Sequence, residues 1–458
     1  MTSAWTPAAC ALATAAWMVV WWASEAVPLW TTALLPLVVF PIAGVHDGGA
    51  VERALESGSP YVNAYVLLFL GGTTIAAALQ ETGLHHRLSL AILARTRSSP
   101  LRVLVGVFGA TAAASMWISN TAAATLVLPI ALALLCEIEL RTGLRPRFAA
   151  ALILAVAYGA NIGGIGTKIG TPTNMQLAGF LTTRGVEVSF VEFSLIGAGF
   201  VMIFAPFAIA VLWRLARADA PAAAELVRAL DSTLPVPARW SRGERAVAIV
   251  FTATAGAWIA AQPITSALAS AFPRLGLSTR HVEAGAALLA ALTLALWRPG
   301  GIPLLSRASL RAMPWAALLL IGGSFALANG IEKSGLSTAI APAFERLAHV
   351  PPLAQSLAVA SIAVLASAFA SNTATIAILL PLIAASAPLG REPTLLFSAT
   401  IASSCDFALP AGTPPNAIAF ASGRVPFLAM VRTGIALDVL AAIVAAAWCE
   451  LTVRIVVG

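Results

Sequence analysis

The sequence predicts an all-α polytopic membrane protein made of two inverted repeats, each with five transmembrane helices plus a re-entrant helical hairpin. Three observations carry this. The 458 residues are 59% hydrophobic and 10% charged, whereas an ordinary soluble domain carries about 25% charged residues. The mean hydropathy is +0.89, and apolar runs recur from end to end, as spans of about 20 residues require. The landmarks also occur twice. "LLFLGGTTIAAALQETGL" (67–84) resembles "LLLIGGSFALANGIEKSGL" (318–336). Ser119-Asn120-Thr121 recurs 252 residues later as Ser371-Asn372-Thr373, each followed by Leu-Pro at the same offset (Pro129, Pro381). "GTPTN" (170–174) matches "GTPPN" (412–416).

The predicted spans lie near 8–22, 27–44, 61–80, 147–167, 192–216, 245–262, 281–297, 314–330, 394–410 and 425–447. No basic residue precedes the first run, which reads as a mature helix rather than a cleaved signal. The stretches 101–138 and 353–388 are each too long for one span and carry Ser-Asn-Thr near the middle. A hairpin of two half-helices suits them, since non-helical backbone at membrane depth survives only when buried in protein or lining a wet cavity. Gly and Pro interrupt the helices at about 147–183 and 394–422, at a density that unwinds a helix. The first repeat is 1–216, the linker 217–244 and the second repeat 245–458. Five spans per repeat is an odd number, so the second copy lies inverted. Many secondary transporters follow this plan, with a site near the midplane at broken helices.

Charge placement gives the orientation. The net charge of +7 sits in short loops between apolar runs, which is a topology signature rather than a nucleic-acid footprint. With the Arg-rich linker taken as cytoplasmic, eighteen basic residues fall on its side and eight on the other, Lys168 being the remaining one. The first hairpin then opens to the cytoplasmic side, and the second hairpin and the N-terminus to the outside, in a plasma or inner membrane. Cys10, Cys136, Cys405 and Cys449 are scattered, which argues against disulfides or a zinc site. His85 and His86 read as an interfacial turn rather than a metal site. An intramembrane enzyme is disfavoured: no HExxH or GxSxG is present, and Asp406 is the one intramembrane aspartate candidate.

A Ser-Asn-Thr tip offers hydroxyls and an amide. The half-helix that follows begins with unpaired N–H groups and a positive dipole end, which suit an anion. The half-helix before it ends in free carbonyls, which suit Na⁺. "GGIGTKIGTPTN" (163–174) and "CDFALPAGTPPN" (405–416) offer the same two kinds of helix end. One such feature alone would read as ordinary interface serine chemistry or a packing kink. Two matched copies read as a site.

Paired Ser-Asn-Thr, paired GTPxN breaks, "SEAVPL" after "WMVVWW", and "LLFLGG" together resemble the divalent anion/sodium symporter family over nearly the whole chain. The resemblance implies carriage of dicarboxylates, citrate or sulfate, with Na⁺ and no organic cofactor. It also implies scaffold and transport domains, a homodimer and an elevator motion. Carried over, it assigns substrate contacts to Ser119, Asn120, Thr121, Ser371, Asn372, Thr373, Thr413 and Pro414. It assigns one Na⁺ to Ser115, Ser119, Asn120 and Gly170, and another to Ser367, Ala370, Asn372 and Gly412. C4-dicarboxylates such as succinate are the expected cargo. The alternatives are sodium-independent dicarboxylate exchange and a sulfate or citrate carrier. The chain departs from the family at its start, where the usual first helix has no counterpart, and at Ala122-Ala123-Ala124 after the first triplet.

Lys168, one of two lysines, and Asp406 stand inside the two breaks, where neutral residues are usual in that family. Intramembrane charge defaults to a functional hypothesis. Lys168 would then add fixed positive charge near the first cation site, and Asp406 would pair with it or carry a coupling proton. The competing reading has Lys168 snorkelling to the interface and Asp406 capping a broken helix.

Overall fold

The structure, a computed structural model, describes residues 6–24, 26–95, 99–223, 239–336 and 350–457. Most of the linker (224–238), Arg97 and Arg346 lie outside the described residues. The described residues are helices and connecting turns, with no strand among them. Every predicted span contains helix, but several are not single straight rods. Among the described residues six helical stretches are long and apolar enough to cross a membrane, or seven if Arg242–Ile259 and Ala261–Ala271, bent by 71°, count as one. That is fewer than the ten apolar runs: 27–44 and 394–410 are divided by breaks, and the unbroken helices over 8–22 and 281–297 fall short in apolar length or hydropathy. Residues 27–44 divide into Leu29–Thr32 and Leu35–Ala43, and the helix predicted over 394–410 stops at Ser403. Helices Ala50–Gly58 and Leu84–Ala94 have no counterpart among the predicted spans. His85 and His86 therefore sit in a helix, not a turn, with His85 Nδ1 2.8 Å from the Leu79 carbonyl.

Both hairpins form around the triplets. The first is Pro100–Ser115 followed by Asn120–Thr142, and the second is Pro352–Ser367 followed by Asn372–Ser386. The arms turn at 116–119 and 368–371, so each Asn opens the returning helix. The returning arm of the first hairpin is longer than a half-helix, at 23 residues. Its uncharged part ends at Cys136, and the last turns carry Glu137, Glu139 and Arg141. The broken helices are Pro146–Gly164 with Pro172–Thr183, and Glu392–Ser403 with Pro414–Ala421.

The packing repeats as the sequence does. The leading arm of each hairpin lies along the first half of the broken helix that follows it. The second half of each broken helix reaches across to the returning arm of the other hairpin, Pro172–Thr183 to Asn372–Ser386 and Pro414–Ala421 to Asn120–Thr142. Pro146–Gly164 is the centre of the molecule, with every residue from Phe148 to Gly164 buried. It meets the first hairpin backbone to backbone. A Cβ on Gly159 would fall 2.6 Å from the Phe108 carbonyl oxygen, and one on Gly163 would fall 2.3 Å from that of Ala112.

Ion pairs sort the charged loops into two sets. Arg87–Glu244 (2.7 Å), Arg424–Glu139 (2.8 Å) and Asp219 with the Arg147 and Phe148 N–H groups (2.8 and 2.7 Å) make one set. Arg184–Glu392 (2.9 Å), Arg184–Glu332 (3.6 Å) and Arg391–Glu450 make the other. Arg424 follows the second broken helix and Glu139 precedes the first, while Arg184 follows the first and Glu392 begins the second. The two broken helices therefore run in opposite directions.

The Gly159 seam has no room for a side chain, so Gly159→Val should cost about 1–3 kcal/mol through overpacking. The measurement is the apparent melting temperature in detergent. A wild-type melting profile would mean the seam yields.

Candidate midplane site

The two breaks are held by the same device. Asn174 Nδ2 donates to the Gly164 and Thr167 carbonyls at 3.0 and 2.7 Å. Asn416 Nδ2 donates to the Asp406 and Leu409 carbonyls at 3.1 and 3.1 Å. Each asparagine is ten and seven residues from its acceptors, so the GTPxN asparagine satisfies carbonyls that the break frees. The breaks are also tied to each other. Asn161 Nδ2 donates to Thr413 Oγ1 at 2.9 Å and to Asn416 Oδ1 at 3.2 Å. Thr173 and Ser404 share a hydroxyl contact at 3.2 Å. The hairpin tip joins the first break through Ser115 Oγ, whose single proton is shared between the Ala160 carbonyl (2.7 Å) and Asn120 Oδ1 (2.9 Å), and through Thr167 Oγ1, which donates to the Met116 carbonyl (2.5 Å).

Between these elements lies a cavity of about 640 Å³. Both triplets line it in full, together with Gly170-Thr171-Pro172 and Gly412-Thr413-Pro414. Four helices begin at its wall, at Asn120, Asn372, Pro172 and Pro414. Each brings a positive dipole end. The first-turn N–H groups come chiefly from the helices at Asn120 and Asn372, because Pro172, Pro414 and Pro415 have none and the Asn416 N–H is taken by Thr413 Oγ1 at 3.3 Å. Among the described residues no charged side chain lines the cavity; Phe69, Trp117, Ile169 and Ala317 contribute apolar wall. Ser115, Ser367 and Ala370 do not line it but stand behind the tips, at or just past the C-terminal ends of the leading arms. No group of three or more His, Cys, Asp or Glu able to hold a metal occurs among the described residues, so a cation here would meet mostly neutral oxygens.

The family model described as citrate transporter matches residues 19–402. The chain belongs to that family. It is 32% identical over 456 residues to the sodium-dependent dicarboxylate transporter SdcS of Staphylococcus saprophyticus, covering 94% of this chain and 84% of that protein. It is 31% identical over 449 residues to the sodium-dependent high-affinity dicarboxylate transporter 3 of Caenorhabditis elegans, covering 91% and 78%. In fold it is similar to the YdaH transporter of Alcanivorax borkumensis, with TM-score 0.54 and 14% identity over 89% of this chain and 90% of that one. The resemblance to divalent anion/sodium symporters read from the motifs holds. The protein is an integral membrane transporter and not an enzyme.

Lys168 does stand inside the first break, between Gly164 and Pro172, but its charge is not free. Its ammonium is fully buried and donates to Glu283 Oε2 at 2.6 Å and to the Val188 carbonyl at 2.6 Å. It also stands 5.2 Å over the Tyr65 ring. It neither snorkels nor pairs with Asp406, and it does not line the cavity. Glu283, on helix Thr279–Leu296, also accepts the Phe190 N–H at 2.5 Å, and its carbonyl accepts Trp258 Nε1–H at 3.0 Å. Sequence reasoning missed Glu283 because nothing in its neighbourhood marks it; an acid inside a predicted span was the available signal. It also missed Asp438, whose carboxylate accepts the Phe407 N–H at 2.9 Å. Asp406 is fully buried, and neither carboxylate oxygen has a hydrogen-bond partner among the described residues. It therefore caps no helix.

Removing one member of a buried ion pair costs roughly 3–5 kcal/mol, because the other charge is stranded. Lys168→Met should therefore lower stability by about that amount, and adding Glu283→Gln should recover much of the loss. Thermal unfolding of the two single variants and the double variant in detergent measures this. Additive losses would show that the two side chains are not coupled.

Proposed function

We propose that this protein is a secondary active transporter of small dianions, C4-dicarboxylates such as succinate, coupled to Na⁺. The observation that carries this is the convergence of four helix N-termini on one cavity with no charged side chain in its wall among the described residues. Their positive dipole ends, with the N–H groups of the Asn120 and Asn372 helices, suit an anion, and a neutral wall leaves most of the countercharge to a co-transported cation. The substrate carboxylates meet Ser119, Asn120 and Thr121 at one end and Ser371, Asn372, Thr373, Thr413 and Pro414 at the other. Na⁺ is held by Ser115, Ser119, Asn120 and Gly170 on one side and by Ser367, Ala370, Asn372 and Gly412 on the other. The sodium-dependent dicarboxylate transporters to which the chain is similar support both cargo and coupling.

The antiparallel broken helices support reading 1–216 and 245–458 as inverted repeats, with the linker 217–244 on the cytoplasmic face of a plasma membrane. In the proposed cycle the hairpins and broken helices move together as an elevator against a scaffold that forms a homodimer. Sodium-independent exchange drew its support from a free positive charge at Lys168. Glu283 neutralises that charge, so symport is the favoured reading.

The test is uptake of succinate, citrate and sulfate into proteoliposomes, with and without an inward Na⁺ gradient. Sodium-driven succinate uptake is expected, and Thr373→Val should raise its KM roughly tenfold, the worth of one hydrogen bond to a charged group. Uptake that needs only an internal counter-anion would overturn symport.

A further inference from the structure

The two cation sites proposed above are not equivalent. The two breaks align at a spacing of 242 residues, Asn174 with Asn416, Thr167 with Leu409 and Gly164 with Asp406. The matched hydrogen bonds of the two asparagines fix this correspondence in space. In the first repeat Gly164 has no side chain, and Asn120 Oδ1 lies against it, 2.3 Å from where a Cβ would stand. That oxygen is engaged by the Ser115 hydroxyl at 2.9 Å. In the second repeat Asp406 stands in the place of Gly164. Its carboxylate hangs over the loop glycine, so that a Cβ on Gly412 would fall 1.8 Å from Asp406 Oδ2. The Ser367 hydroxyl turns back to its own helix, to the Val364 carbonyl at 3.0 Å. Asn372 Oδ1 is left buried with no partner among the described residues.

Three oxygen acceptors, two from Asp406 and one from Asn372, are thus buried with no hydrogen bond among the described residues. No base among the described residues compensates them. Lys168 is engaged by Glu283, and the neighbouring acid, Asp438, holds the Phe407 N–H. The Tyr158 hydroxyl donates to the Phe407 carbonyl at 3.2 Å, and the Asn416 amide donates to the Asp406 carbonyl at 3.1 Å rather than to its carboxylate. An unpaired carboxylate buried in this way is strongly disfavoured. Acceptor oxygens without donors are what a hard cation requires.

We infer that Asp406 is a direct ligand of the second cation site, binding Na⁺ together with Asn372 Oδ1, so that this site carries a full negative charge which the first lacks. This rests on the sodium-coupled reading above. The second site therefore holds its cation more tightly than an all-neutral site would, because the attraction is between opposite charges away from water.

The experiment uses the full chain. Succinate uptake into proteoliposomes is measured against external Na⁺ for wild type and Asp406→Asn. The Na⁺ concentration for half-maximal rate should rise at least tenfold in the variant. Reaction of the buried carboxyl with dicyclohexylcarbodiimide, mapped by mass spectrometry on the wild type, gives a readout that needs no variant to fold. Na⁺ added without substrate should protect Asp406 from it, and choline should not. An unchanged Na⁺ curve in Asp406→Asn, or labelling indifferent to Na⁺, overturns the assignment while leaving sodium coupling intact. Wild-type uptake indifferent to Na⁺ overturns the coupling itself. Sodium-free uptake driven by an inward proton gradient and lost in Asp406→Asn would make Asp406 a proton carrier, and also overturns the assignment.

Discussion

Everything in this structure depends on satisfying backbone that has been unwound at membrane depth. Breaking a helix there frees carbonyls and N–H groups that water cannot reach from the lipid side, and each unsatisfied group costs several kcal/mol. The chain meets this twice with an asparagine that reaches back to two carbonyls of its own break, Asn174 to Gly164 and Thr167, Asn416 to Asp406 and Leu409. Asn161 then bridges the two breaks. Because the freed groups are secured at one end, those at the other can be spent on a ligand. The cavity is the space this arrangement leaves.

The central position of Pro146–Gly164 follows from the same constraint. A break can be buried only if other elements approach it closely, and glycines at 159 and 163 let the first hairpin do so at backbone distance. The second half of each broken helix crossing to the other hairpin makes the site a joint property of both halves of the chain. Neither half alone encloses it, since each contributes one triplet and one break to the lining.

The charges illustrate two ways of living in an apolar interior. Lys168 and Glu283 neutralise each other, with further contacts to Val188, Phe190 and Tyr65. Such a pair is weak as a source of net stability, because desolvation offsets much of the attraction, but breaking it is expensive. Asp406 is the opposite case, a carboxylate with no partner of its own among the described residues. The first is explained by architecture, and the second calls for something that comes and goes.

Much was legible in the sequence because it is local. Hydropathy marks apolar runs, Gly and Pro mark where helices must stop, and duplication at spacings of 252 and 242 marks which interruptions belong together. Those signals placed the triplets at hairpin tips and the GTPxN breaks opposite them, and the motif set pointed to the family. The number of unbroken membrane-length helices was not legible, since a run of apolar residues reads the same whether it is one rod or two. Nor were the fates of Lys168 and Asp406. Sequence announces that a charge is present, but its partner is chosen by tertiary packing: Glu283 lies 115 residues from Lys168, and only the fold brings the two to 2.6 Å. The same fold brings Asp406 to no base among the described residues, and sets its carboxylate over the Gly412 loop instead. A carboxylate's role is decided by what surrounds it, and sequence alone does not contain that information.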